Sequence, residues 1–182
     1  MPTPHAIVVM GISGCGKTTL GKGIAQALGY NFIEGDDLHP QDNVSKMSAG
    51  IALTDEDRWP WLERVAQALD RASPENGCVV SCSALRHSYR QMLRSRCGTP
   101  IVFVFPELSP DVARARLQRR PNHYMPASLV DSQFATLEPP GPEESVLRID
   151  GLRSTGACLR YALANLSPQT ADLLIQTPQA TL

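Results

Sequence analysis

Residues 11–19 read GISGCGKTT, and this stretch decides the fold of the chain. It fits the pattern GxxxxGK[ST], in which glycines let the backbone curl so that several N–H groups point at phosphate oxygens. The apolar run AIVVM, residues 6–10, precedes it, and a helical pattern over residues 17–28 follows it. A helix that begins at such a loop directs the positive end of its dipole at the same phosphate. The sequence therefore predicts a strand, a phosphate-binding loop and a helix, in that order.

The residues of this loop have separate predicted tasks. Lys17 can reach the β- and γ-phosphates and serves as a catalytic group, while the Thr18 hydroxyl can ligate Mg²⁺. We therefore expect ATP and Mg²⁺ as ligands, although the loop leaves open whether the phosphate is transferred, hydrolysed or sensed. The residues expected to surround the nucleotide phosphates are Gly11, Ser13, Gly14, Cys15, Gly16, Lys17, Thr18 and Thr19.

Beyond the loop, short apolar runs alternate with helical patterns. Runs that are apolar throughout suit strands covered on both faces, and strand–helix alternation indicates a parallel sheet with right-handed crossovers. The sequence thus predicts an α/β fold of three layers, with a five-stranded parallel sheet flanked by helices. We expect one domain over residues 1–166 and a loosely held tail over 167–182. After the first strand and helix, strands are expected at 30–34, 78–82, 101–105 and 145–149, and helices at about 56–72, 85–96, 109–119, 126–137 and 154–165.

The composition excludes several classes of protein. A net charge of -1 over 182 residues gives no bulk attraction to nucleic acid or anionic lipid. The run AIVVM is far shorter than a membrane span or the core of a signal peptide. Five scattered cysteines form no CxxC pair, so neither a zinc site nor a disulfide framework is indicated. We therefore expect a cytoplasmic protein that binds neither nucleic acid nor membranes.

The fate of the phosphate depends on residues outside the loop. The chain has no NKxD motif of GTPases and no LSGGQ-like motif of ABC ATPases, and the third predicted strand, CVVSCS, lacks a terminal Asp. The second predicted strand ends in EGDD, where Glu34 and Asp36 would point the same way from an extended backbone into the ligand crevice. One carboxylate could orient metal-bound water while the other accepts a hydroxyl proton. Alternatively, GDD is only a turn with an Asx-type hydrogen bond.

Longer segments resemble one known family. The chain is similar to the gluconokinases of the thermoresistant type, small P-loop kinases related in fold to shikimate kinase and the nucleoside monophosphate kinases. The resemblance extends to about residue 165. It implies transfer of the γ-phosphate of ATP to the 6-hydroxyl of D-gluconate, and relatives suggest a homodimer. The matching segments are MGISGCGKTTLG (10–21), EGDDLHPQDNVSKMSAGIALTDEDRWPWL (34–62), CSALRHSYRQMLR (82–94) and RRPNHYMPASLVDSQFATLEPP (119–140).

The resemblance assigns roles to polar residues. It implies that Asp36 is the catalytic base and that Glu34 binds the metal through water. Arg58 is the leading anchor for the substrate carboxylate, since a guanidinium binds a carboxylate with two hydrogen bonds. The alternatives are a solvated Arg58 paired with nearby acids, a structural His39, and surface positions for Lys46, Arg86 and Arg90. The implied substrate contacts are Asp36, His39, Lys46, Arg58, Arg86, Arg90 and Gln133.

The family also implies a mobile lid over about residues 116–127. Closing such a lid excludes water, which would otherwise accept the phosphoryl group. Arg120 matches the lid arginine that binds ATP and reaches the transferring phosphoryl group, and Arg116 is the second candidate. Two other functions stay open. One is a kinase of the same fold acting on shikimate or a nucleoside monophosphate, and the other is an ATP-binding regulatory module without transfer.

Overall fold

A computed structural model describes residues 3–73, 75–118 and 127–167. Two 3₁₀ turns, Gly35–Leu38 and Pro142–Glu144, accompany the strands and helices. The strands are β1 (Ala6–Val9), β2 (Asn31–Glu34), β3 (Cys78–Ser81), β4 (Ile101–Glu107) and β5 (Val146–Asp150). The helices are α1 (Lys17–Leu28), α2 (Gln41–Ser48), α3 (Asp55–Asp70), α4 (His87–Arg96), α5 (Pro110–Gln118), α6 (Ala127–Thr136) and α7 (Thr155–Leu166).

The strands of the described residues form one parallel sheet in the order β2-β3-β1-β4-β5. β1 lies at its centre, with β2 and β3 on one side and β4 and β5 on the other. Ligands of open α/β sheets bind at the carboxyl ends of the strands, beside the strand where the order reverses. The loop after β1, residues 11–16, lies at this position. The predicted α/β fold with a five-stranded parallel sheet is confirmed.

The alternating side chains of β1 produce the three layers. Val8 is fully buried in a cluster that includes Trp61 of α3. Ile7 faces the opposite side and packs with Ile24 of α1 and Ala162 of α7. Because β1 is apolar on both faces, helices must cover the sheet on both sides.

The predicted elements are present with boundaries shifted by at most two residues, but helix α2 and the turn Gly35–Leu38 were not predicted. The sequence of α2, QDNVSKMS, has only two large apolar residues over eight positions, too few for a periodic pattern to be recognised. Within the described ranges, no helix has the length and apolar character needed to cross a membrane. The central part of the predicted lid, residues 119–126, and the tail from residue 168 lie outside the described residues.

Candidate active site

The loop after β1 is built to receive an anion. Gly14 and Gly16 have φ angles of 84° and 94°, which side chains larger than hydrogen rarely allow. Helix α1 begins at Lys17 without a capping side chain and without an acid in its first turn. Its first N–H groups and the positive end of its dipole are therefore available to phosphate. The ammonium of Lys17 lies over the same loop and donates a hydrogen bond of 3.0 Å to the carbonyl of Ile12.

A carboxylate and two hydroxyls meet beside this loop. Glu34 ends β2 and is paired in register with Ser81, which ends β3. The Thr18 hydroxyl donates a hydrogen bond of 2.7 Å to one Glu34 oxygen, and the Ser81 hydroxyl donates to the other. Oxygen ligands of this kind suit Mg²⁺, which is bound by a few protein oxygens and keeps several waters. Thr18 and Glu34 therefore fit the predicted metal site.

Asp36 lies just beyond this carboxylate, in the 3₁₀ turn Gly35–Leu38. The turn approaches β3 so closely that a Cβ at position 35 would collide with the Ser81 carbonyl, so only glycine fits there. The indole of Trp61 donates a hydrogen bond of 2.7 Å to the Gly35 carbonyl and anchors the turn. The prediction that Glu34 and Asp36 share one extended strand is wrong, because β2 ends at Glu34. Asp36 is nevertheless exposed beside the crevice.

The charges of Asp36, Glu34 and Lys17 all act on the buried thiol of Cys82, just after β3. Burial raises the pKa of Cys82 to about 12, the negative charges of Asp36 and Glu34 add to this rise, and the positive charge of Lys17 opposes it. Lys17 is next to Thr18, whose hydroxyl bonds Glu34, and Asp36 lies in the turn that directly follows Glu34, so the three residues meet beside the loop. The structure thus brings together the predicted base, metal-associated acid and phosphate-binding lysine.

Two predicted substrate arginines meet at the start of α3 and α4. Arg86 donates a hydrogen bond of 2.5 Å to Asp55, and the hydroxyl of Tyr89 donates one of 2.6 Å to the other oxygen of the same carboxylate. Arg58 donates to the Tyr89 hydroxyl at 3.2 Å. Two guanidinium groups and one carboxylate leave this cluster with a net charge of one positive unit. Tyr89 was not predicted as a site residue, although its spacing from Arg86 on one helical turn is visible in the sequence.

His39 and Lys46 lie next to this cluster but have partners within the protein. The His39 ring stacks on Trp61 with 4.2 Å between ring centroids, and it is 9% exposed. Burial, followed by the positive charge of Arg58, lowers the pKa of His39 to about 4, so the ring is neutral at neutral pH. Lys46 forms an ion pair of 2.6 Å with Asp57 in the first turn of α3. The position of His39 favours the structural role that the sequence left open.

Arg90 is not at the substrate side, which corrects the prediction for this residue. Its side chain is fully buried, and its guanidinium makes two hydrogen bonds of 2.6 and 2.7 Å to Glu144. It also donates to the carbonyls of Ala84 and Leu85, each at 3.1 Å. Ala84 has a φ of 41°, a conformation that such contacts help to hold. Arg90 therefore fixes the loop after β3 and is enclosed by the core.

A pocket of about 450 Å³ opens on the other side of the phosphate-binding loop. Arg116 lies at its edge and donates a hydrogen bond of 2.7 Å to the carbonyl of Gly151, in the loop after β5. The pocket is thus continuous with the phosphate cradle and has room for a base and ribose. Its lining includes Gly14, Cys15, Gly16, Thr19, Arg116 and the loop residues Gly151, Leu152, Arg153, Ser154 and Thr155.

Gln133 and Arg120 are the remaining predicted site residues. Gln133 lies on α6, and its side-chain oxygen accepts a hydrogen bond of 2.7 Å from the backbone N–H of Ser13. It therefore contacts the phosphate-binding loop, whereas the sequence predicted a contact with substrate. Arg120 falls outside the described residues.

Comparison with known proteins identifies the group to which this arrangement is similar. The shikimate kinase family profile matches residues 13–138. A gluconokinase of Gluconobacter oxydans is 51% identical over 149 residues, covering 81% of this chain and 83% of that protein. The thermosensitive gluconokinase of Escherichia coli is 40% identical over 179 residues, covering 96% and 90%. The crystal structure of a gluconokinase from Sinorhizobium meliloti superposes with a TM-score of 0.84 at 44% identity, covering 98% of this chain and all of that one.

Proposed function

The chain belongs to the gluconokinase family of P-loop kinases, and from this premise we propose that it transfers the γ-phosphate of ATP to the 6-hydroxyl of D-gluconate. The products are 6-phospho-D-gluconate and ADP. The observation that carries the proposal is the meeting, at one edge of the sheet, of a phosphate cradle, an exposed carboxylate and a cluster with one unit of positive charge. A kinase for a sugar acid needs these three parts.

The nucleotide occupies the cradle and the neighbouring pocket. The backbone of residues 11–16 and the start of α1 hold the phosphates, and Lys17 neutralises charge that develops on the transferred group. The adenine base of the nucleotide lies against the loop Gly151–Thr155. Arg116 sits where this loop meets the cradle. Arg120 is proposed as a further positive charge near the phosphoryl group.

Thr18 and Glu34 fit a magnesium ion, with Glu34 holding it through water. When bound, Mg²⁺ would neutralise phosphate charge and orient the γ-phosphate. The double hydrogen bonding of Glu34 by Thr18 and Ser81 fixes its carboxylate before the ion arrives, which lowers the cost of forming the site.

Asp36 accepts the proton of the attacking hydroxyl. It is exposed at the crevice. Gly35 and Trp61 hold its turn in place, so the backbone that carries the carboxylate is fixed. Transfer between bound groups gains most of its rate from positioning, and a fixed base contributes to it.

The cluster of Arg58, Arg86, Asp55 and Tyr89 provides the acceptor end. Its excess positive charge complements the single carboxylate of gluconate. Burial, and after it the charge of Arg58, depresses the pKa of His39, whose backbone N–H closes the turn carrying Asp36. The cationic cluster is therefore next to Asp36, the proposed catalytic base. Gluconate requires this arrangement, because it has a carboxylate at one end and the reactive hydroxyl at the other. Lys46 lies on the same side.

A panel of acceptors tests this function against the two alternatives. ADP formation is measured with D-gluconate, shikimate and AMP at equal concentrations, and the phosphorylated product is identified by mass and by the position of the phosphate. We expect turnover with gluconate at the 6-hydroxyl. Turnover with shikimate or AMP alone would assign another acceptor, and nucleotide binding without any turnover would assign a regulatory module.

Two further expectations remain proposals. A cytoplasmic location is expected because the reaction consumes ATP, and a homodimer is expected from the family. Sedimentation of the purified chain distinguishes a monomer from a dimer.

A further inference from the structure

The hydroxyl of Tyr89 lies between a positive and a negative side chain of the acceptor cluster. It donates a hydrogen bond of 2.6 Å to Oδ1 of Asp55 and accepts one of 3.2 Å from Nη1 of Arg58. The same two atoms of Asp55 and Arg58 are 3.9 Å apart, too far for a charge-assisted hydrogen bond. The hydroxyl therefore takes the carboxylate oxygen that Arg58 would otherwise bind.

Packing fixes the position of this hydroxyl. Tyr89 is buried, and Trp59 lies nearly perpendicular to its ring, with 5.4 Å between the ring centroids. The guanidinium groups of Arg58 and Arg86 lie over the ring at 5.7 and 5.9 Å from its centroid. Burial, followed by the hydrogen bond to Asp55, raises the pKa of Tyr89, so the hydroxyl keeps its proton at neutral pH. It can therefore donate to one partner and accept from the other at the same time.

This arrangement leaves most of the Arg58 guanidinium available to a ligand. Among the described residues, its side chain makes one hydrogen bond, to Tyr89, although a guanidinium has five N–H donors. Its other nitrogens reach solvent, because no buried side-chain nitrogen in these parts of the chain lacks a partner. In Arg90, by contrast, Nε, Nη1 and Nη2 all donate to protein oxygens. Arg58 thus has free donors near the turn that carries Asp36.

We propose that Tyr89 is a positioning residue, whose hydroxyl keeps Arg58 from closing onto Asp55 and so keeps the guanidinium available to the carboxylate of gluconate. The inference rests on the proposed function, because it takes Arg58 as the anchor of that carboxylate. Without the hydroxyl, a shift of about 1 Å would bring Arg58 and Asp55 into a direct hydrogen-bonded ion pair. The substrate carboxylate would then compete with Asp55 for the same donors.

Tyr89→Phe tests this role, since it removes the hydroxyl and keeps the buried ring. We expect the KM for gluconate to rise about three- to tenfold, because Arg58 pairs with Asp55 in this variant. The KM for ATP and kcat should stay within about twofold of the wild type, since only binding of the acceptor is weakened. The matched control is Tyr30→Phe, whose hydroxyl lies 3.5 Å from His5 just before β2, at the end of the sheet away from the crevice.

A second substitution separates this role from a loss of packing. Asp55→Asn removes the charge that would capture Arg58, so adding Tyr89→Phe to this variant should change the gluconate KM by less than about twofold. Equal effects of Tyr89→Phe with and without the Asp55 charge would overturn the proposal. An equal rise in the KM values for ATP and gluconate would overturn it as well. Thermal unfolding checks that each variant is folded, and Asp55→Ser replaces Asp55→Asn if the latter is not.

The proposed function and the role of Tyr89 fail in different ways. A wild-type chain that does not phosphorylate gluconate would contradict the proposed function, and with it the anchor on which the role of Tyr89 depends. A wild-type chain that phosphorylates gluconate, with a KM that Tyr89→Phe leaves unchanged, would overturn the role of Tyr89 alone.

Discussion

The hydroxyl of Thr18 donates a hydrogen bond of 2.7 Å to Glu34, and this bond joins the first turn of α1 to the end of β2. Ser81, at the end of β3, holds the other oxygen of the same carboxylate. Many P-loop enzymes carry the metal-associated acid at the end of the strand beside β1. Here that strand ends in Ser81, and the acid proposed to serve the metal, Glu34, ends the next strand, β2. The neighbouring serine compensates by fixing the acid.

Substituting Glu34 should therefore change the dependence on magnesium. In Glu34→Gln the amide keeps the size of the side chain but loses the charge that orients metal-bound water. We expect the Mg²⁺ concentration for half-maximal rate to rise by about 10- to 100-fold. Initial rates at saturating ATP and gluconate over a magnesium series measure this. Glu63→Gln, at a half-exposed position of α3, should follow the wild type, and an unchanged magnesium dependence in Glu34→Gln would remove Glu34 from the metal site.

Breaking the buried ion pair of Arg90 and Glu144 should destabilise the fold. Glu144→Gln leaves the Arg90 guanidinium buried without its counter-charge, which costs about 3–5 kcal/mol of unfolding free energy. Arg96→Met removes an exposed pair with Glu63 at 3.5 Å and should cost at most about 1 kcal/mol. Urea unfolding at neutral pH compares the two variants. Similar losses in both would show that burial does not strengthen the first pair.

The same ion pair predicts a dependence of stability on acid. Hydrogen bonding from Arg90 is the main cause that lowers the pKa of Glu144 from 4.5 to about 2. A carboxylate with a depressed pKa stabilises the fold fully above its unfolded value, and this contribution disappears as pH falls from about 4.5 towards 2. Unfolding free energies of the wild type should therefore decline through this range more steeply than those of Glu144→Gln. Equal declines of the unfolding free energy in the two proteins would show that protonation of Glu144 does not cause the loss of stability.

His39 predicts a second change at higher pH. Its pKa is lowered from 6.5 to about 4, so between these values the unfolded chain binds a proton that the folded chain excludes. Stability should rise as pH increases from 4 to 6.5, with the His39 contribution complete above 6.5. His39→Gln, which cannot titrate, should show a smaller rise in urea unfolding over this interval. An equal slope in both proteins would mean that the imidazole is accessible to protons in the folded state.

The acceptor cluster predicts a selective loss of substrate affinity. Arg58→Lys keeps the charge but removes the planar group that contacts Tyr89, so the anchor loses its geometry. We expect the KM for gluconate to rise about tenfold, since one charge-assisted contact is worth about 1.5–3 kcal/mol and only part of it is lost. The KM for ATP should not change. Steady-state kinetics with Arg96→Lys as the control measures both, and equal increases in the two KM values would place Arg58 outside the acceptor site.

The sequence predicted the sheet, its parallel strands and the phosphate loop because these depend on local signals. AIVVM followed by GISGCGKTT specifies a buried strand and an anion-binding turn without reference to distant residues. The same holds for the start of α3, where Thr54 and Asp57 form the reciprocal hydrogen bonds of a capping box. Predicting Glu34 and Asp36 as neighbouring acids was possible for the same reason.

The partners of the arginines could not be predicted in this way. Arg58, Arg86 and Arg90 were all predicted to contact substrate, yet Arg90 is buried because Glu144, 54 positions later, supplies its counter-charge. The contact of Gln133 with Ser13 likewise depends on how α6 docks against the loop. Contacts between residues so far apart in the sequence depend on how whole helices and strands pack. The spacing of residue types along the chain does not predict them.

Asp36 and Asp37 provide the most direct measurement, since they are adjacent, exposed and in the same turn. The rate of gluconate phosphorylation is measured in Asp36→Asn and in Asp37→Asn, with binding of the magnesium–ATP complex measured in both. If Asp36 is the base for transfer to gluconate, its variant loses about 10²- to 10⁴-fold in kcat and still binds nucleotide, while Asp37→Asn stays near the wild type. A wild-type rate in Asp36→Asn would contradict the mechanism, as would equal losses in the two variants.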